Sequence, residues 1–137
     1  NDDEIDLTIN PLINIGLVYV EQHDYKKSLE YLNKTEIIQK QLYDRVGFET
    51  AIYISLSKKN LGMDYDINII KKHIKGKKYI EDFQNYVVYQ LLEDTSYLET
   101  AYNQVKEKAD NLEPDVAAKF LSYPIPKAIV EEWEKVK

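Results

Sequence analysis

Apolar residues recur at helical spacing along most of the chain, and capping residues, glycines and prolines divide the pattern into segments. Asn10-Pro11 reads as a cap followed by proline in a first helical turn. Asp24 predicts the start of a second helix, DYKKSLEYLNKTEIIQKQLYD. The run FETAIYISLSKKNLG closes at Gly62, with two lysines just before it. Asp66 opens INIIKKHIKG, which Gly76 closes. Ile80, Phe83, Tyr86, Val87 and Leu91 put YIEDFQNYVVYQLLED on one helical face. Thr95 or Ser96 caps YLETAYNQVKEKADNL, Pro114 begins PDVAAKFL, and Pro126 begins PKAIVEEWEKV. The β-branched and aromatic residues from Tyr86 to Tyr89 could suit a strand, but the helix formers around them decide for helix. The expectation is an all-α chain of about eight helices, whose short loops set neighbours antiparallel.

Gly16 stands inside the first of these helices, where glycine costs roughly 1 kcal/mol relative to alanine. It makes sense at a close helix-helix contact. Leu12, Ile15, Gly16 and Tyr19 form one stripe. Tyr25, Ser28, Leu32 and Thr35 form a facing stripe on the second helix. Gly16 and Ser28 are the small partners that let two helices approach.

This spacing resembles the tetratricopeptide repeat, a helix-turn-helix unit of about 34 residues. The family pattern of a large apolar residue, Leu-Gly and Tyr corresponds to Leu12, Ile15-Gly16 and Tyr19. Its second-helix pattern corresponds to Tyr25, Ser28, Leu32 and Thr35. Departures are Leu12 for tryptophan, His23 for the turn glycine, and Ser28 and Thr35 for alanines. Weaker echoes follow Gly62, at Ile67, Ile70 and Ile74, and again at Leu98, Ala101 and Val105. The tail is similar to the segment that closes the helical-repeat region of large bacterial signalling proteins. The residues concerned are Ala101-Tyr102, Ala109, Phe120-Leu121, Pro124 to Pro126, Ile129 and Trp133.

The resemblance implies a tetratricopeptide-like solenoid fragment with a partner-binding groove lined by Asn10, Ile13, Leu17, Val20 and Glu21. Chaperone-binding members place Lys and Asn there to clamp a carboxylate. Ile13 and Leu17 argue against such a clamp. The stripe of Ile13, Leu17 and Val20 also makes the first helix apolar almost all round, so both sides need cover. A partner, self-association, or an upstream repeat would each supply it.

The length of 137 residues suits one domain. Residues 1–9, NDDEIDLTI, read as an acidic linker or frayed end, and 10–137 as the helical domain. With no initial methionine and no signal pattern, the chain reads as part of a larger protein. The net charge of −6 disfavours nucleic acid as the main partner. The cluster Lys71, Lys72, His73, Lys75, Lys77 and Lys78 reads as a solvated helix end. The absence of cysteine rules out disulfides and thiolate-ligated zinc and favours an intracellular, cytoplasmic setting. No apolar run reaches the roughly 20 residues of a membrane span.

Candidate chemistry is sparse. His23 and His73 have no second ligand at metal spacing. Asp64, Asp66 and Asn68 imitate the start of a calcium loop, but Ile69 and Lys75 occupy the places that need Gly and Glu. No phosphate-cradling glycine loop or nucleophile elbow occurs. Carboxylate pairs such as Glu131 and Glu132 suit a solvated helix surface. The 12 tyrosines suit core, rim or interface. The expectation is no catalytic residue, no metal and no cofactor. The function it favours is a scaffold that binds a protein or peptide. The alternative is a regulatory segment of a signalling protein that senses a peptide or small effector and controls an attached catalytic domain.

Overall fold

The computed structural model describes residues 10–137, and among these the chain is entirely helical, with eight helices and no strand. The acidic stretch 1–9 lies outside the described residues. The helices gather into two compact units, up to Lys78 and from Tyr79 onward.

The first unit holds α1 (Asn10–Glu21), α2 (Tyr25–Tyr43), α3 (Phe48–Asn60) and α4 (Ile67–Lys75). Between α1 and α2 the chain reverses in three residues. The Asp24 N–H donates to the Tyr19 carbonyl at 2.9 Å and the His23 N–H to Val20 at 3.0 Å. That pattern needs a left-handed residue after the helix. His23 takes it, with φ 60°, where glycine is usual. Asp24 then caps α2 by accepting from the Lys27 N–H at 3.2 Å. The same reversal ends α3 at Gly62, φ 74°, with the Met63 N–H on the Lys58 carbonyl at 2.8 Å. Asp66 caps α4 through the Asn68 N–H at 2.9 Å.

Consecutive helices pack on each other, and α1 also packs on α3, an arrangement consistent with a helical-repeat fold. α3 is the centre of this unit. From Phe48 to Ser57 every residue but Glu49 is buried. The loop before it is held by the Gly47 N–H, which donates to the Gln39 side-chain carbonyl at 2.9 Å.

At the α1–α2 contact the expected close approach is present. Ser28 Oγ donates to the Gly16 carbonyl at 2.8 Å. A β-carbon on Gly16 would lie 2.7 Å from Leu32 Cγ and Cδ2. Gly16, Ser28 and Leu32 are buried, Leu12, Tyr19 and Tyr25 half-buried, and Ile15 exposed.

The second unit holds α5 (Asp82–Leu92), α6 (Thr95–Asp110), α7 (Pro114–Ser122) and α8 (Pro124–Val136). α6 is capped by Asp94, one residue before the expected Thr95 or Ser96. Asp94 accepts from the Ser96 N–H at 2.9 Å, and its carboxylate is stronger there than a hydroxyl. α8 begins at Pro124, two residues before the expected Pro126, because the pre-proline residue Tyr123 is extended (ψ 148°). Leu98, Ala101 and Val105 of α6 and Ile129 of α8 form the core. Tyr102 stacks on Trp133 at 5.7 Å.

Polar bonds fix the entry to α5. Asn85, nearly buried, donates to the Ile80 carbonyl and to the Gln104 side-chain oxygen, both at 3.0 Å. Gln104 in turn donates to Ile80 at 2.8 Å. Lys108 meets Asp82 at 2.8 Å, and Tyr89 donates to Glu132 at 3.0 Å.

Candidate partner-binding surface

The groove suggested by resemblance is not open. Ile13 is 0% and Val20 3% exposed, Leu17 is half-buried, and only Glu21 of that set reaches solvent. The side chain of Asn10 lies outside the described residues. Ile13 and Val20 lie three residues before and four after Gly16, so they share its inward face. α1 has two neighbours, α2 and α3, and a stripe centred on Gly16 alone cannot serve both. The buried arc therefore extends to Ile13 and Val20, and the internal core takes the residues assigned to a partner.

The other edge of α1 is the open one. Ile15 and Val18 are 39% and 48% exposed, with half-buried Leu12 and Tyr19 beside them. Residues three and four apart are surface neighbours on a helix, so these four form a continuous apolar strip. α2 extends the strip through Tyr31, whose ring stacks on Tyr19 at 5.6 Å. Each ring carries a cation. Lys27 Nζ lies 5.6 Å from the centroid of Tyr19, and Lys34 Nζ 5.1 Å from that of Tyr31. The nearest carboxylate, Asp24, is only at the 4.0 Å limit from Lys27. Both lysines are exposed and Lys34 has no salt-bridge partner among the described residues, so both can meet an anion from outside.

The sequence held a signal for this surface. Tyr31 and Lys34 are three apart, the spacing that places a cation over an aromatic ring on one helix. The Tyr19–Tyr31 stack joins two helices, so only the packed α1–α2 pair reveals it.

At the turn, His23 Nδ1 is 2.9 Å from the Tyr25 hydroxyl, and burial pushes the Tyr25 phenol above its usual range. Burial likewise pushes the Glu21 carboxyl up. Among the described residues no group of three or more His, Cys, Asp or Glu side chains gathers as a metal cage would require. No helix among them is long and apolar enough to cross a membrane. What the surface offers is apolar area, two stacked rings and two cations, which suits recognition by contact. In comparisons with known proteins, no family model, no curated protein and no solved structure matches the chain.

Proposed function

We propose that the chain is a non-catalytic protein-interaction module of tetratricopeptide-like type. Its working surface is the α1–α2 seam of Leu12, Ile15, Val18, Tyr19 and Tyr31. The observation that carries this reading is the exposure of Ile15 and Val18 in continuity with the paired tyrosines. Contiguous apolar patches rimmed by polar groups mark binding sites on soluble domains, and tyrosine is favoured at their centres. Lys27 and Lys34 select the partner's charge. The matching ligand is a peptide segment with apolar side chains for the strip and Asp or Glu for the two ammonium groups.

A displayed peptide library selected against the whole protein tests this. Enriched sequences should combine apolar residues with carboxylates. They should lose binding to an Ile15→Asp/Val18→Asp variant that remains helical by circular dichroism. Failure to enrich any sequence, or binding indifferent to that substitution, would refute the assignment.

A further inference from the structure

The charge of the chain is segregated between the two units. The first unit, residues 1–78, carries 12 Lys and Arg against 12 Asp and Glu, whereas residues 79–137 carry 6 against 12. The net negative charge is therefore carried by the second unit, while the first is neutral overall. The basic residues of the first unit concentrate on α4 and the segment after it, 67–78, where five lysines occur and no acid. Burial of Ile70 turns Lys71, Lys72 and Lys75 outward, and no hydrogen bond or salt bridge among the described residues engages these three. Ile67 and Ile69, 39% and 51% exposed, stand one turn before Lys71 and Lys72 and share their faces.

The second unit presents the opposite chemistry at the corner between α6 and α7. Glu107, Asp110, Glu113 and Asp115 are exposed there, and none has a salt-bridge partner among the described residues. Lys108, the basic residue within this run, is held by Asp82. The corner also exposes two apolar side chains, Leu112 at 39% and Val116 at 48%. Each surface thus pairs two exposed aliphatic side chains with a cluster of like charges, three lysines on one and four carboxylates on the other, with exposed Asp64 and Asp66 before the first pair and Lys119 after the second.

We infer that a second copy of this chain is the partner of the α4 surface. The lysine face of one molecule docks on the acidic α6–α7 corner of the next. Opposite potentials across such a contact speed encounter and set its register, and the aliphatic pairs supply its dry centre. The two surfaces differ, so the contact pairs unlike faces of neighbouring molecules. Exposed charges are screened by salt, so the association is strongest at low ionic strength.

Sedimentation equilibrium of the whole protein tests the pairing. The average mass should rise with concentration at low salt and return to that of a monomer at ~1 M salt, where the Debye length is about 3 Å. Lys71→Glu/Lys72→Glu/Lys75→Glu should stay monomeric at low salt, as should Glu107→Lys/Asp110→Lys/Glu113→Lys. Mixed together, the two charge-reversed variants should associate again, because each now offers the face the other lost. If the glutamate variant loses helicity, the Lys→Gln counterpart serves, with loss of association expected. A wild-type protein that is monomeric at low salt would overturn the inference. So would a mixture of reversed variants that fails to associate. A monomer that instead binds a short DNA duplex through these lysines would overturn it as well, and would assign the patch to nucleic acid.

Discussion

Gly16 is the position where the packing argument can be put to a number. Replacing it with alanine adds one methyl group to the middle of α1. In an open helix that change would stabilise by about 1 kcal/mol, through helix propensity. Here the new carbon would sit 2.7 Å from both Leu32 Cγ and Leu32 Cδ2. Leu32 is 0% exposed, so it cannot swing out into solvent without losing its burial. Cγ is also near the root of the side chain, so a terminal rotation alone cannot relieve the clash. Overpacking of this kind typically costs 1–3 kcal/mol. Less the propensity gain, Gly16→Ala should lose about 1 kcal/mol, and Gly16→Leu more. A double-mutant cycle with Leu32→Ala separates the two contributions. Leu32→Ala alone should cost 2–5 kcal/mol as a cavity. In that background the methyl at position 16 has room, so Gly16→Ala should become stabilising. Urea unfolding of the four proteins by circular dichroism gives the coupling, expected at about 1–3 kcal/mol. A coupling below about 0.3 kcal/mol, the level seen for distant sites, would refute the close contact.

Asp44 ends α2 in the left-handed region at φ 60°, so Asp44→Gly should stabilise by about 0.5 kcal/mol in the same urea assay. It would also remove a negative charge from a helix C-terminus. Gln104→Ala takes away one acceptor of Asn85 and one donor to Ile80, and should destabilise by about 1–3 kcal/mol. Thermal unfolding followed through Trp133 would report it. Stability should also fall above about pH 10. The hydrogen bond to Asp82 raises the Lys108 pKa, so its contribution is complete below the unfolded value and lost as pH rises through the folded one. Burial and then Glu132 raise the Tyr89 pKa, so the unfolded chain loses that proton first, which again favours unfolding at high pH. Lys108 itself is about half exposed, so the pair's part should stay under ~1 kcal/mol. Lys108→Gln and Tyr89→Phe should each flatten the alkaline slope of a urea-midpoint series.

Local chemistry was legible in the chain itself. Asp24 and Asp66 cap the helices they precede, Gly62 closes α3 in a left-handed turn, and Gly16 meets the second helix at Ser28 and Leu32. Each of these features depends on residues within a few positions, or on the facing stripe of the adjacent helix, so sequence spacing determines it. The choice of faces on α1 was not legible. Leu12, Ile13, Ile15, Leu17, Val18 and Val20 are all apolar and surround the helix, so periodicity names no inside. Only tertiary packing, with α2 and α3 both against α1, buried Ile13 and Val20 and left Ile15 and Val18 exposed. The charges behaved the same way. Their sum belongs to composition, but packing turned Lys71, Lys72 and Lys75 outward together by burying Ile70 among them. A helix's own sequence determines which residues share a face; what covers that face is decided by elements that arrive from elsewhere in the chain.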